Sequence, residues 1–359
     1  MRRFALALLV PALALTARDA RAEAPAPDKR AAPAEAVPKD QKFVYSNTAM
    51  GTMVSVFFWS SNEAKAREAA DAVFAEMKRL DAVMTTWTET SEVSRINLAA
   101  GRKPVKVSDE TYAVIARAQD VAKRTNGIFD ITVGAFKGLW KFDQDMDGTL
   151  PDPADVKKRL ANIGYKHLRL DPKAKTVFLD QKGMSITLGG IAKGYAVDKC
   201  VALLKKLGFA NFMIQAGGDM YVAGSKSGTP WVVAIRDPRG PADSHFANAP
   251  VSNHSFSTSG DYERGFVKDG VRYHHILDPR TGQPSHASRS VTVRAIDAFT
   301  ADAWSKVLFI LGYEESMKLI KREKLTDFEV VWIDDKNEVH MTDAIKSVLR
   351  IEKQPTPGT

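Results

Sequence analysis

Four stretches of the sequence concentrate the residue types that hold charged ligands. They combine glycines, which let a ligand approach the backbone closely, with carboxylate, hydroxyl, ammonium and imidazole groups. The stretches are residues 188–195, 215–219, 258–264 together with 274–282, and 297–302. Such groups suit a phosphorylated ligand and a hard cation such as Mg²⁺. The chemistry that this combination indicates is phosphate and metal binding.

The stretch at 188–195, LGGIAKGY, places Lys193 at the start of a predicted helix. A helix N-terminus offers free N–H groups and a positive dipole end to phosphate, and Lys193 adds a full charge. The stretch lacks the spacing of a P-loop, G-x-x-x-x-G-K-[ST], and of a dinucleotide fingerprint, G-x-G-x-x-G. Taken alone, it is more typical of a turn that leads into a helix.

Two of the other stretches also have structural interpretations. Gly217 and Gly218, directly before Asp219, predict either a tight bend or a ligand contact. Neighbouring side chains of a strand face opposite ways, so only one of His274 and His275 can point into a given site. The second histidine then belongs to the surface or the core.

Carboxylates in two further places are consistent with a metal or with simpler roles. Asp297 and Asp302 open a predicted helix, where a carboxylate either caps the helix or holds Mg²⁺ with phosphate oxygens. The spacing of Asp143, Asp145 and Asp147 is that of the start of a calcium loop, but residue 154, where such a loop needs glutamate, is alanine. Calcium binding and an acidic surface loop both remain open there.

The elements that carry these stretches differ in type along the chain. Residues 43–59 indicate extended structure broken at Met50–Gly51, and Ser60–Glu63 indicates a capping box that opens a helix. The remaining predictions are helices over 108–124, 193–207 and 301–311, strands at 212–222, 231–236, 271–277, 289–295 and 328–333, and a hairpin closing at 335–337. The pattern predicts an α+β fold.

The N-terminal segment indicates export. Arg2 and Arg3 precede an apolar run, and Ala20–Ala22 has the small-x-small spacing of a cleavage site, so residues 1–22 are predicted to be a signal peptide. The apolar run is too short to span a bilayer core about 30 Å thick. Cys200 is the sole cysteine, so a lipid-bearing cysteine at the cleavage point is excluded. We expect a periplasmic protein, with the twin-arginine export route left open.

Composition bounds the remaining possibilities. Residues 23–42 are rich in alanine and proline, which predicts a flexible linker, and residues 351–359 are predicted to be a disordered tail. The net charge of +8 is spread without a run of five like charges. Nucleic-acid binding therefore has little support. The sequence leaves the oligomeric state open.

Taken in order along the chain, these motifs resemble those of the ApbE family of FAD:protein FMN transferases. The resemblance extends from about Tyr45 to Gly312. The matching segments are residues 50–52, 91–97, 129–134, 188–195, 217–219, 258–262, 275–282 and 301–303. Their order along the chain is more specific than any one motif. The resemblance implies a two-lobed α+β fold over residues 43–350, with mainly antiparallel sheets flanked by helices and a cleft between the lobes that binds FAD.

The resemblance also implies a set of ligand contacts. The implied FAD-contacting residues are Met50, Trp87, Asp130, Ile131, Thr132, Thr187, Lys193, Gly217, Gly218, Asp219, Thr258, Ser259, Gly260 and Ile276. Mg²⁺, bridging the FAD pyrophosphate, would be held by the backbone oxygen of Gly190 and the carboxylate of Asp302, with Asp297 nearby. Trp87 would lie against the flavin nucleotide.

The implied reaction transfers FMN from FAD to a threonine or serine hydroxyl of an exported acceptor protein and releases AMP. It is an in-line displacement at phosphorus, in which positioning and charge neutralisation supply most of the catalysis. We expect His275 to accept the proton of the acceptor hydroxyl, with Asp261 and Asp302 as the alternative proton acceptors.

Two positions depart from the family pattern. Thr187 stands where a carboxylate is expected, and Lys306 stands where a threonine or serine hydroxyl helps to hold the metal. Ser305 is one residue early, about 100° around the helix. The departures keep two alternatives open: a metal-dependent FAD pyrophosphatase that yields FMN and AMP, and a non-catalytic FAD-binding protein of the cell envelope.

Overall fold

We describe residues 39–142 and 145–358 in a computed structural model of the chain. The predicted signal peptide, and the linker up to residue 38, lie outside these residues. Elements are numbered in chain order. The helices are α1 Glu63–Met84, α2 Glu92–Leu98, α3 Asp109–Arg124, α4 Pro153–Leu160, α5 Ala192–Lys206, α6 Ala298–Glu323 and α7 Asp343–Lys346, with short 3-10 helices at Ile131–Phe136 and Tyr165–His167. The strands are β1 Gln41–Ala49, β2 Thr52–Ser60, β3 Val105–Lys106, β4 Leu168–Asp171, β5 Thr176–Leu179, β6 Phe212–Ala216, β7 Asp219–Ala223, β8 Trp231–Arg236, β9 His245–Val251, β10 His254–Gly260, β11 Gly265–Lys268, β12 Val271–His274, β13 Ser288–Ala295, β14 Phe328–Asp334, β15 Val339–Met341 and β16 Arg350–Ile351.

The main sheet is antiparallel throughout. Within the described ranges it contains eight strands in the order β1-β2-β6-β7-β10-β13-β14-β15. Smaller antiparallel sheets are formed by β3-β5-β4, β16-β9-β8 and β11-β12. Because helices accompany mainly antiparallel sheets, the predicted α+β class is confirmed. The division into two lobes with a cleft stays a prediction.

Both faces of the main sheet are covered, and β2 shows why. Alternate side chains of a strand point to opposite faces. Val56 and Phe58 enter the larger core, which is formed with α1, α3, α5 and α6. Phe57 and Trp59 pack against a second core that includes β8, β9 and α7. The consequence is a rigid central sheet whose strand ends and helix ends can hold a site in place.

Local sequence signals explain several element boundaries. The Met50–Gly51 turn joins β1 to β2 with φ of 53° and 69°, as a type I′ hairpin requires. Ser108 caps α3 by accepting a hydrogen bond from the Thr111 N–H, as the sequence predicts. At α1 the predicted Ser60 capping box is wrong. The Asn62 side chain caps this helix by accepting from the Lys65 N–H, while Ser60 ends β2.

The C-terminal residues, for which composition predicts a disordered tail, are tied to the body. Ile351 pairs with Ala247 in β9. The Thr356 N–H and Oγ1 donate to the Asp237 carboxylate at 3.0 and 2.7 Å. Proline-rich composition does not prevent order here, because the segment finds specific partners. Among the described residues, no helix combines the length and the apolar character needed to cross a membrane.

Candidate flavin-transfer site

The turn between β6 and β7 positions Asp219, one of the residues predicted to contact the ligand. Gly217 has a φ of 60°, and a Cβ added there would lie 2.8 Å from Thr52 Oγ1. A Cβ on Gly218 would lie 2.6 Å from the Thr258 carbonyl oxygen. Both glycines are therefore required by close packing against neighbouring strands. This turn makes Asp219 the first residue of β7, where it is buried.

Lys193, in the first turn of α5, pairs with Asp219. Its Nζ lies 3.0 Å from Asp219 Oδ2, and Ser257 Oγ donates to the other carboxylate oxygen at 2.7 Å. Burial opposes the charge of Asp219, but Lys193 and Lys306 outweigh it and lower the pKa of the carboxyl. Burial likewise opposes the charge of Lys193, but Asp219 and Asp302 raise its pKa. Both groups are charged at neutral pH.

Asp302, on α6, faces the start of α5. Its Oδ2 accepts a hydrogen bond from the Gly194 N–H at 2.8 Å. A Cβ on Gly194 would come within 2.4 Å of the Ala298 carbonyl oxygen, so only glycine allows the two helices to approach this closely. Burial and the nearby Asp219 carboxylate raise the pKa of Asp302, and the ammonium groups of Lys306 and Lys193 oppose this rise.

Lys306, one helical turn beyond Asp302, completes the arrangement. Its Nζ forms an ion pair with Asp302 Oδ1 and donates to the Asp302 carbonyl oxygen at 3.0 Å. A Cβ on Gly190 would lie 3.6 Å from Lys306 Cδ, which places the 188–195 loop beside the lysine stem. We refer to Lys193, Asp219, Asp302 and Lys306 as the lysine–aspartate cluster. The cluster brings three of the predicted stretches together.

His275 and Arg264 lie next to the lysine–aspartate cluster. The pKa of His275 is lowered, first because surrounding protein atoms exclude water from the ring and then because His274, Arg264, Lys193 and Lys306 repel a further positive charge. The residue keeps an exposed surface, and both causes act in the same direction, toward a neutral ring at pH 7. Its Nδ1 lies 3.3 Å from the Arg264 carbonyl oxygen.

The adjacent histidine has a different environment. His274 is buried, its Nε2 lies 2.7 Å from the Ser285 carbonyl oxygen, and its ring packs edge-on against Phe309. Burial lowers the pKa of His274 to about 4, so it too is neutral. The two histidines differ in burial, as expected for neighbouring residues of an extended segment: His275 is exposed and His274 is buried.

A comparison with protein-family models identifies the family. Residues 50–332 match the model of the ApbE family, which is most of the chain. The chain belongs to the ApbE family. The match spans the lysine–aspartate cluster, His275 and all of the predicted contact residues, and it confirms the resemblance drawn from the ordered motifs.

Individual ApbE relatives agree with this assignment. The chain is 35% identical over 288 residues to the FAD:protein FMN transferase of Treponema pallidum, covering 76% of this chain and 79% of that protein. It is 32% identical over 298 residues to one from Klebsiella pneumoniae, covering 83% and 90%. The crystal structure of the ApbE protein from Thermotoga maritima superposes with a TM-score of 0.79 at 34% identity, covering 86% of this chain and all of that one. The flavin transferase ApbE from Vibrio cholerae gives 0.76 at 27% identity, covering 86% and 99%.

Two of the donors that the ApbE resemblance assigns to Mg²⁺, the carboxylates of Asp302 and Asp297, are already engaged in this chain. Both Asp302 oxygens have partners, Lys306 and the Gly194 N–H. Asp297 caps α6, accepting from the Thr300 N–H and Oγ1 at 2.9 Å each, and lies 3.3 Å from Arg117. Mg²⁺ requires a near-octahedral set of oxygen ligands. The ammonium group of Lys306 competes directly with such an ion for the buried carboxylate of Asp302. These residues do not fit the implied magnesium site.

Ser305 does not replace the missing hydroxyl. Its Oγ lies 2.8 Å from Ser259 Oγ and donates to the Asp302 carbonyl oxygen at 2.9 Å, fully buried between α6 and β10. The rotation of about 100° per residue separates it from the face that carries Lys306. The hydroxyl therefore serves helix-to-strand packing.

Asp261, the second candidate base, is held by an arginine. Arg239 Nη1 and Nη2 donate to its two carboxylate oxygens at 2.7 Å each, and both side chains are 8% exposed. Gly260, just before it, packs so that a Cβ would lie 2.4 Å from Tyr262 Cε1. Nothing in the sequence around Arg239 indicated this pair, because its partner is 22 residues away and in a different element.

Asp130, Ile131, Thr132 and Thr187, which the resemblance assigns to FAD, lie close together, and their polar groups are hydrogen-bonded within the protein. Asp130 Oδ1 accepts from the Thr132 N–H at 2.9 Å, and Oδ2 accepts from the Tyr165 N–H at 2.7 Å. Burial raises the pKa of Asp130, and these hydrogen bonds oppose the rise. The Thr187 N–H donates to the Ile131 carbonyl oxygen at 2.8 Å.

The other residues that the resemblance assigns to FAD have varied surroundings. Met50 donates its N–H to Asp81 Oδ2 at 3.0 Å, and Arg264 Nη2 donates to the Gly51 carbonyl oxygen at 3.3 Å. Thr258 Oγ1 lies 2.9 Å from Thr292 Oγ1, and Ile276 is buried in the larger core. Trp87 is 71% exposed, with Lys137 Nζ 4.8 Å from its ring centre.

Ser257 is a site residue that the sequence analysis missed. It donates to Asp219 from within β10, where Ser255, Ser257 and Ser259 are all buried. Serines at alternate positions of a strand share one face. This Ser-x-Ser-x-Ser pattern was the available signal.

In the possible calcium loop, Asp143 lies outside the described residues and Asp147 is engaged with Lys141 and Thr149.

Proposed function

We propose that this chain transfers FMN from FAD to a threonine or serine hydroxyl of an acceptor protein and releases AMP. The observation that carries the proposal is the convergence of Lys193, Lys306 and a neutral His275 in a chain of the ApbE family. Relatives that match most of the chain are named FAD:protein FMN transferases.

The two lysines suit the anionic part of FAD. Lys193 and Lys306 have side chains 21% and 16% exposed, whereas Asp219 and Asp302 are 3% and 0% exposed. The lysine side chains thus retain more exposure than the carboxylates they pair with. We infer that they receive the pyrophosphate, and that the predicted contact residues from Met50 to Ile276 surround the rest of FAD. Trp87 supports this assignment because a solvent-exposed ring is available for stacking.

His275 is assigned the role of general base. An Nδ1–H that donates to the Arg264 carbonyl leaves Nε2 without a proton and able to accept one. The acceptor oxygen forms a bond to the FMN phosphorus while the bond from that phosphorus to the bridging oxygen breaks. The leaving electron pair stays on the phosphate of AMP, and the proton passes to His275. Asp261 is less suited, because Arg239 holds both of its oxygens.

The N-terminal sequence and the family together support an exported, periplasmic enzyme whose acceptor is also exported. A Mg²⁺ requirement, which the resemblance implied, has no support from the donor set around Asp302. We therefore derive no step through a metal. The two alternatives remain testable: water in place of the acceptor hydroxyl would give a pyrophosphatase, and the departures at Thr187 and Lys306 would suit a binding protein.

The deciding experiment incubates the purified chain with FAD and a threonine-bearing acceptor domain, with Mg²⁺ in one arm and chelator in the other. We expect an acceptor that stays fluorescent after denaturation and gains the mass of one FMN. An acceptor variant with alanine in place of the threonine is the control. Released AMP with a dark acceptor would establish hydrolysis instead. Intact, bound FAD in every arm would establish a binding protein.

A further inference from the structure

The ion pair between Lys306 and Asp302 lies where the family pattern has a hydroxyl and a metal-binding carboxylate. The two residues are four apart on α6 and therefore on one helix face. Asp302 is fully buried, and its second carboxylate oxygen accepts a hydrogen bond from the Gly194 N–H. The ammonium of Lys306 thus takes the place beside Asp302 that a cation would need.

The surroundings hold the lysine in this position. Gly190 lies beside the stem, where a Cβ would meet Lys306 Cδ and Cε at 3.6 and 3.9 Å. On the helix side, Nζ also donates to the Asp302 carbonyl oxygen at 3.0 Å. A lysine loses rotamer entropy when it is fixed, so two hydrogen-bond acceptors and a packed stem favour a single arrangement over a solvated one.

The charges of the cluster are balanced without a metal. Lys193 and Lys306 neutralise Asp219 and Asp302, and Arg264 contributes a further positive charge felt by both Lys193 and His275. A divalent cation would have to share one carboxylate with an ammonium group, and the two positive charges would repel each other across a poorly solvated gap. An incoming pyrophosphate, by contrast, would meet lysine side chains that are more exposed than the carboxylates they neutralise.

We propose that Lys306 is a catalytic residue whose ammonium group takes the place of a bound divalent cation, so that this chain binds and cleaves FAD without a metal. The inference rests on the proposed function. The ammonium donates to a non-bridging pyrophosphate oxygen and keeps its own proton, while the acceptor hydroxyl gives its proton to His275. Positive charge at this point stabilises the negative charge that accumulates on the AMP phosphate as the phosphorus–oxygen bond breaks.

The test compares the full chain with Lys306→Thr, Lys306→Met and Lys306→Arg, each treated with chelator and then with or without added Mg²⁺. FAD affinity is measured by flavin fluorescence, and FMN transfer by acceptor labelling. We expect wild-type affinity and rate to change less than about twofold on chelation. We expect Lys306→Met to lose on the order of 100-fold in rate in both arms. Lys306→Arg should retain metal-independent binding, and Lys306→Thr should bind FAD tightly only when Mg²⁺ is present.

Lys318→Met is the matched control, since Lys318 lies on the same helix with a side chain 71% exposed and pairs with Glu315 on the surface. Thermal unfolding of each variant separates misfolding from loss of charge. A wild-type chain whose FAD affinity or transfer rate falls about tenfold or more on chelation, and recovers with Mg²⁺, would overturn the proposal. An acceptor that is never labelled would sink the proposed function alone, because the FAD titration of the wild type still decides whether Lys306 replaces the metal.

Discussion

The Arg239–Asp261 pair and the lysine–aspartate cluster both bury charge, but they expose different partners. In the pair, arginine and carboxylate are equally covered, and two parallel hydrogen bonds use both carboxylate oxygens. In the cluster, the carboxylates are almost completely buried while the lysines retain some exposure. The Arg239–Asp261 pair is closed, so its hydrogen-bonding groups are used within the protein and stabilise the fold. In the cluster the lysine side chains retain exposure, so they can still receive an anion. The comparison separates a structural use of charge from a functional one.

The largest expected effect tests the structural side of this comparison. Asp261→Asn should lower the free energy of unfolding by about 3 to 5 kcal/mol, because it leaves the Arg239 charge buried without a full counter-charge. Urea unfolding measures the loss. Replacing both partners, as in Arg239→Met with Asp261→Asn, should recover part of it.

The same variant addresses the assignment of the base. FMN transfer by folded Asp261→Asn, measured well below its unfolding temperature, should stay within a few-fold of the wild-type rate. A rate reduced on the order of 100-fold with unchanged stability would instead make Asp261 a catalytic residue and remove the contrast between the two regions.

His275 lies beside the lysine–aspartate cluster, so its loss should reduce the rate of FMN transfer and leave the fold intact. His275→Ala should reduce FMN transfer by about 10² to 10³, within the range for loss of a general base, while FAD binding is retained. Acceptor labelling and FAD titration check the two parts. Variation of the buried neighbour, His274→Asn, is the control, and it should lower stability more than it lowers the transfer rate.

The pH dependence sharpens this point. Because the pKa of His275 is lowered in the folded chain, the neutral, proton-accepting ring persists as pH falls through the ordinary histidine value of about 6.5. We therefore expect the transfer rate to stay level as the pH falls through 6.5, and to decline only at pH values well below that. A profile that halves near pH 6.5 and becomes flat in His275→Ala would show an ordinary, solvated histidine.

Lys193→Met tests whether the lysines of the cluster bind FAD. We expect FAD affinity to fall on the order of 100-fold, because a charge-assisted contact to phosphate is lost. The change also leaves Asp219 with Ser257 and the more distant Lys306, so stability should fall as well. Combining it with Asp219→Asn should restore stability without restoring affinity. Lys199→Met, on the same helix but paired at the surface with Glu110, is the control. Equal recovery of both properties would mean that the cluster is structural, like the Arg239–Asp261 pair.

Trp87 provides the smallest effect. Its ring is exposed, so Trp87→Ala should leave the unfolding temperature unchanged while weakening FAD binding by about tenfold, the lower part of the range for one stacked base. Trp87→Phe should keep most of the affinity. An unchanged affinity in Trp87→Ala would place the ring outside the ligand site.

Local signals in the sequence were sufficient for most elements that carry the site. The break at Met50–Gly51 within a run of β-formers predicted the boundary between β1 and β2, and the serine at 108 predicted the start of α3. The ordered motifs identified the family, and residues 50–332 match its model. β9 and β10 were not predicted, because their polar serines and asparagines do not alternate with apolar residues and depend on neighbouring strands for pairing.

The sequence by itself also determined that Lys306 and Asp302 share a helix face, since four residues make about one turn. It did not determine where the ammonium goes. That depends on Gly190, which lies more than a hundred residues earlier and packs beside the stem, and on Gly194, which lets α5 and α6 approach closely enough to bury the carboxylate. The Arg239–Asp261 pair is decided in the same way, by elements brought together in folding. Side-chain type and helical period are local properties, whereas the partner of a buried charge is set by long-range packing, and only the tertiary structure could supply it.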